Sequence, residues 1–205
     1  AAKKLAGTNQ DVLLVERDSN LGGIIGNSNK IKSLDGQKSK DWIEKTEWLL
    51  KSTNNIKILK NTTVTTYNYK DHLVAIEDRS VGTPPDNNKP ELIMHKIRTK
   101  NTVLANGHIE RFLSFRNNDL PGVMLAASFE KYIHRYGVVA DKSPVIFTNN
   151  SSTFSLIKTL VEMGHKPKAY VDIRDAKKIE KETLDLINNH NIPFYPKSEI
   201  EGCEG

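Results

Sequence analysis

An α/β fold built on a mostly parallel sheet is predicted by three features of the sequence. Short apolar runs at 11–16, 144–148 and 168–173 have the length and composition of buried parallel strands. Amphipathic helical patterns at 41–50, 125–136 and 154–163 alternate with them. The order strand, helix, strand then begins a second time at Ser143. Such alternation marks βαβ units, whose sheet is covered by helices on both faces and so makes three layers.

The bulk numbers agree with a folded protein. At 205 residues the chain has room for one complete domain and part of another. Hydrophobic residues at 37% and charged residues at 27% lie outside the range of disordered chains. Cys203 is the only cysteine, which excludes a disulfide framework and a redox-active cysteine pair and fits a reducing, cytoplasmic setting. The net charge of +5 is dispersed, with lysines such as Lys38, Lys45, Lys57 and Lys60 set among acids and apolar residues. That pattern reads as a solvated surface, with no nucleic-acid partner. No apolar run reaches the roughly 18–20 residues of a membrane span, and the start Ala1-Ala2-Lys3-Lys4 has no signal-peptide core, so no membrane partner is expected.

The elements can be justified in chain order. Residues 1–7 read as the end of a helix closed by Gly7, feeding the strand that ends on Glu16. The sequence therefore reads as starting inside a dinucleotide-binding βαβ unit, after the first strand and its glycine-rich turn. A polar turn carries Gly22 and Gly23 and leads into a loop up to Ser39. In the next helix, Trp42, Ile43, Leu49 and Leu50 share a stripe, and Ser39 or Asp41 is the expected N-cap. Strands at 56–59, 62–67, 72–76 and 92–98, with a turn-forming loop at 81–90, resemble an antiparallel meander inserted in the domain. The apolar run 101–107 is predicted to return to the parallel sheet and close it. After a loop at 117–124, the helix 125–136 stops at Gly137. The second unit comprises the strand 144–148, a helix 154–163 ended by Gly164, the strand 168–173, a helix 177–189 and a strand 192–195. The expected domains are 1–142, a partial FAD/NAD-binding domain including the meander, and 143–205, the start of a second Rossmann-like unit. Together they make two nested nucleotide-binding-type units of an FAD/NAD(P)-binding Rossmann-like fold.

Glu16 is the leading candidate for cofactor binding, because an acid at the carboxyl end of the second strand can accept both ribose hydroxyls of an adenine nucleotide. Arg17 beside it joins the candidate set, and Gly22 and Gly23 would let backbone amides approach a pyrophosphate. Val64, within Thr63-Val64-Thr65, reads either as a segment passing beneath an adenine ring or as a plain sheet strand. Ala105, Asn106 and Gly107 supply the small residues that a strand end beside a dinucleotide requires. The second unit reads Thr148-Asn-Asn-Ser-Ser-Thr153 where glycines would fall, so it is assigned a structural role and Asp172, equivalent to Glu16, is given no ribose. The six histidines are scattered without a ligand pattern, so no metal site is expected, and no nucleophile or base is assigned as catalytic. The residues by themselves leave NAD and FAD open for the first fold.

The runs Lys96-Ile-Arg-Thr-Lys-Asn-Thr-Val-Leu-Ala-Asn-Gly-His-Ile-Glu-Arg111 and Phe115-Arg-Asn-Asn-Asp-Leu-Pro-Gly-Val-Met-Leu-Ala126, with Tyr132-Ile-His-Arg-Tyr-Gly-Val138 and Val145-Ile-Phe-Thr-Asn-Asn150, resemble the alpha subunit of heterotetrameric sarcosine oxidase. The likeness extends from about Ala1 to Asp175 and includes the glycine-free second turn. It implies NAD in this subunit, on Glu16, near Gly22 and Gly23, and flanked by Ala105, Asn106 and Gly107. It also implies a flavin-bearing beta subunit, smaller subunits, FAD and FMN in the assembled complex, and tetrahydrofolate as one-carbon acceptor when sarcosine is oxidatively demethylated to glycine. The sequence departs from the family's Ala-Thr-Gly and Glu-Arg-Pro at Ala105-Asn106-Gly107 and Glu110-Arg111-Phe112. The resemblance implies a fragment lacking the N-terminal glycine-rich turn and the C-terminal half, which is expected to be catalytically silent alone.

Two other readings stand beside this one. The chain could serve another amine- or opine-oxidising or cyanide-producing flavoprotein complex, or it could be a non-catalytic scaffold that docks a flavin-bearing partner. A disulfide reductase is disfavoured by the single cysteine.

Overall fold

The computed structural model describes residues 1–27, 33–69, 71–82, 84, 86 and 88–204. The chain forms two compact units, one built from Ala1–Gly26 and Lys32–Gly107 and the other around His108–Gly205. The sequence boundary at 142/143 falls inside the second unit, because residues 108–142 pack with the segment from 143 onward.

The first unit opens with helix α1 (Ala2–Leu5) and strand β1 (Val12–Val15), and continues through a short helix α2 (Gly23–Asn27) in the region expected to be loop. A small antiparallel pair, β2 (Ser33–Leu34) and β3 (Gln37–Lys38), precedes helix α3 (Ser39–Ser52). That helix is not capped by Ser39 or Asp41: its N-cap is Lys38, with no side-chain cap, because helical geometry begins at Ser39 and places Asp41 in the first turn. There a carboxylate still favours the helix through the dipole.

Strand β4 (Ile56–Leu59) pairs in parallel with β1, Val12 opposite Ile56 and Val15 opposite Leu59. Composition groups the run 56–59 with the meander, but the 14-residue α3 supplies the crossover that parallel pairing needs. The meander itself is β5 (Thr62–Asn68), β6 (His72–Asp78) and β7 (Leu92–Arg98), antiparallel throughout, with a bulge between Val64 and Thr66. The expected loop at 81–90 lies outside the described residues at 83, 85 and 87, and the loop running to Ser39 does so at 28–32.

The predicted strand at 101–107 does not form. Residues 101–115 carry no regular structure, and Val103 and Leu104 are 69% and 78% exposed. A strand exists only by sharing a ladder, and among the described residues β1 pairs with β4 alone. Apolar composition by itself does not create such a ladder.

The second unit holds helix α4 (Ala126–Tyr136), β8 (Val145–Thr148), α5 (Phe154–Glu162), β9 (Ala169–Asp172), α6 (Lys181–Asn189) and β10 (Phe194–Pro196). Its three strands run parallel in the order β10-β9-β8. Gly137 ends α4 in the left-handed conformation with φ of 68°, donating its N–H to the Ile133 carbonyl, as the stop signal predicts. The helix expected over 177–189 is shorter at its start. Asp175 caps a separate 3-10 turn at Ala176–Lys178, and the backbone then extends at Ile179, whose side chain is buried. Ile157, Leu160 and Tyr170, fully buried, anchor a core with Phe129, Ile133, Ile146 and Ile187. Each such side chain contributes about 1.5–3 kcal/mol by leaving water, and the helices are thereby fixed to the sheet.

Candidate functional site

Ligands in open α/β sheets sit at the carboxyl ends of the strands. In the first unit that end is built by backbone pairing around Glu16. Its N–H donates to the Leu59 carbonyl at 2.8 Å, and its carbonyl accepts the Thr62 N–H at 2.9 Å. The end of β1 is thus tied both to β4 and to the start of β5, two residues before Val64. The Glu16 carboxylate is half-buried, and its Oε1 accepts the Asp18 N–H at 2.9 Å in a tight local turn. No cation pairs with it among the described residues, and the adjacent Arg17 is exposed. Among the described residues Oε2 and the remaining lone pairs of Oε1 have no donor, and they can accept hydroxyls.

The other predicted residues are placed differently. Gly22 has φ of +111°, a backbone conformation that favours glycine whether or not a ligand is bound, and a Cβ there would come within 2.7 Å of Ile43 Cδ1. Gly23 begins α2 with φ of +49°, and no atom lies within 4 Å of where its Cβ would be. Val64 is 40% exposed opposite the fully buried Ala75. Ala105, Asn106 and Gly107 are exposed in the irregular run, and no hydrogen bond links them to Glu16 or Thr62.

Glu16 and Thr62 are therefore joined at one strand end, with Val64 two residues further along β5, whereas no hydrogen bond ties 105–107 to Glu16 or Thr62. Two clefts in the first unit, about 350 Å³ along Lys51, Ile58 and Lys60 and about 200 Å³ along Lys3, Trp42 and Lys45, include none of the predicted residues. Among the described residues no group of three His, Cys, Asp or Glu is arranged to hold a metal ion, and no helix is long and apolar enough to cross a membrane.

The corresponding end of the second unit carries chemistry that the residue pattern alone does not announce. Asp172, fully buried at the end of β9, accepts the Arg174 N–H on Oδ1 at 2.8 Å, the same local turn that Glu16 makes with Asp18. Here the residue two positions on is a cation. Arg174 Nε and Nη2 reach Oδ1 and Oδ2 of Asp172 at 3.1 and 2.8 Å, and this pairing raises the Arg174 pKa further. Burial pushes the neighbouring Tyr170 phenol up. The signal available in the sequence is Asp172-Ile173-Arg174, an acid and a base two residues apart at a strand end.

The two strand ends thus differ in their fitness for a dinucleotide. Among the described residues the Glu16 carboxylate has no cation partner, whereas that of Asp172 is paired with Arg174.

No protein-family model matches the chain. Sarcosine oxidase alpha subunits from Corynebacterium sp. (strain P-1) and Rhizobium meliloti (strain 1021) are 33% and 32% identical to it over 167 residues, 80% of this chain and 17% of theirs. The chain thus spans about a sixth of the length of these curated relatives. Among solved structures, L-proline dehydrogenase from P. horikoshii matches with a TM-score of 0.64 at 22% identity, covering 87% of this chain and 34% of that one. The water-forming NADH oxidase from Lactobacillus brevis, bound to NADH, matches with a TM-score of 0.60 at 12% identity, covering 98% and 44%. The chain is thus homologous, along part of their length, to sarcosine oxidase alpha subunits, and its fold is that of the FAD/NAD(P)-binding oxidoreductases.

Proposed function

We propose that the first unit binds the adenosine half of NAD on Glu16 and that the protein works as the alpha-type subunit of a cytoplasmic, sarcosine-oxidising complex. The observation that carries the binding assignment is the Glu16 carboxylate, which keeps acceptor capacity and has no cation partner among the described residues. Glu16 would hold the ribose hydroxyls, Gly23 would leave room for the phosphates, and the exposed Val64 would lie against the adenine. The homology to sarcosine oxidase alpha subunits supports the substrate, oxidised from sarcosine to glycine. It also supports a hetero-oligomer with a flavin-bearing beta subunit and smaller subunits, carrying FAD and FMN and passing the one-carbon unit to tetrahydrofolate. When bound, the flavins would supply the electron acceptor, and the residues of this chain would position the nucleotide.

The test is cofactor content. The full-length protein is purified with its partner subunits, the complex is denatured, and released nucleotides are identified by chromatography. NAD released from the wild type and missing from Glu16→Ala supports the assignment. A complex that releases no nucleotide sinks it and leaves a docking scaffold, FAD released without NAD removes the NAD assignment, and a complex without sarcosine-dependent hydrogen peroxide removes the substrate.

A further inference from the structure

The mouth of the second βαβ unit is occupied by its own side chains. Each oxygen of the Asp172 carboxylate receives two donors: the N–H and Nε of Arg174 on Oδ1 at 2.8 and 3.1 Å, and Arg174 Nη2 and the Tyr170 hydroxyl on Oδ2 at 2.8 and 3.3 Å. Arg174 Nη1 donates to Ser151 Oγ at 3.1 Å and lies 3.9 Å from Glu180 Oε2, and Ser151 Oγ itself donates to Glu180. Facing this, Asn150 Oδ1 accepts the Ser152 N–H at 2.8 Å and caps the turn that leads into α5.

A nucleotide would meet three obstacles here. Its ribose would have to displace a bidentate guanidinium from a buried carboxylate, which leaves a charge uncompensated. Its pyrophosphate would meet a cluster in which Asp172 and Glu180 outnumber Arg174 by one negative charge. The backbone amides that would receive that pyrophosphate start on a turn already capped by a side chain and carrying no glycine.

We infer that the second unit is closed to dinucleotides by this internal tie, with Arg174 taking the place of the ribose hydroxyls on Asp172, so that nucleotide selection rests on the first unit alone. The last clause rests on the proposed role of Glu16, and the closure of the second unit does not.

Equilibrium dialysis of the full-length complex against NADH and NADPH tests the closure, using wild type, Glu16→Ala and Asp172→Asn. Glu16→Ala should weaken saturable binding roughly 10- to 150-fold and reveal no second class of site. Binding that survives Glu16→Ala and disappears with Asp172→Asn overturns the inference. Binding that keeps its wild-type strength in both variants counts against the role of Glu16 and leaves the closure standing. A second measurement addresses the tie itself. Arg174→Met should lower the melting temperature by several degrees, and adding Asp172→Asn should return part of that loss by removing the orphaned charge. If the two substitutions act additively, the tie does not exist in solution.

Discussion

Gly22 lies directly beneath Ile43, with a Cβ position 2.7 Å from the Cδ1 of that side chain and a backbone φ of +111°. Both facts oppose any L side chain at this position. Gly22→Ala should cost roughly 1–3 kcal/mol, from backbone strain together with displacement of Ile43. Gly23→Ala meets open space and a φ of +49°, which falls in the left-handed region, so about 1 kcal/mol is expected there. Urea denaturation of the two variants checks the order, and equal losses would mean that Ile43 moves aside without resistance. Trimming Ile43 to Val should return only the steric part of the Gly22→Ala loss.

Glu16 should separate charge from shape. Hydrogen bonds to a charged acceptor are worth about 1.5–3 kcal/mol, so Glu16→Ala is expected to weaken NAD binding by roughly 10- to 150-fold. Glu16→Gln keeps an oxygen for the Asp18 N–H, now 2.9 Å away, but loses the charge, and should fall between wild type and Ala. Titration calorimetry on complexes stripped of nucleotide measures the series. An unchanged affinity in Glu16→Ala would remove the residue from the site.

Burial predicts a sharp contrast between two apolar residues. Ile157 is fully buried in the second unit's core, and Ile157→Ala should lose about 2–5 kcal/mol by leaving a cavity. Leu104 is 78% exposed, so Leu104→Ala should change stability by less than about 0.5 kcal/mol. Denaturation of this 205-residue chain reads both. A large loss at Leu104 would show that the run 101–107 is packed after all.

The contrast also shows where the sequence is readable. Elements whose partners lie within the chain are legible. The span of β7 (Leu92–Arg98) agrees with the strand expected at 92–98, and the glycine stop at Gly137 does as well. The 101–107 run has strand composition, yet its fate depends on an edge to pair with, which composition does not report. For the same reason composition groups Ile56–Leu59 with the wrong sheet: a strand's neighbours are set by the crossover helix, not by the strand itself. At the site, Glu16 is legible from its position at a strand end. The Ile43 packing of Gly22 and the Arg174 closure of Asp172 are not, because both depend on side-chain geometry across turns.

Acid should weaken one charge cluster in a defined window. Glu47 Oε1 lies 2.8 Å from Lys51 Nζ and 2.5 Å from Lys60 Nζ, with the Glu47 side chain 19% exposed. The hydrogen bonds from Lys51 and then Lys60 hold the carboxyl below its ordinary range. A carboxylate whose folded pKa is depressed binds protons more weakly in the folded state than in the unfolded one. Its contribution is therefore complete above the unfolded value of about pH 4.3, and is lost as the pH falls through the lower folded value. The difference in melting temperature between wild type and Glu47→Gln should be constant from neutral pH down to about pH 5 and should shrink as the pH drops below about 4. It should also narrow in high salt, since both lysines are partly exposed. A gap that stays unchanged to about pH 2 would mean that the pairing contributes nothing to folding and that the variant loses only packing.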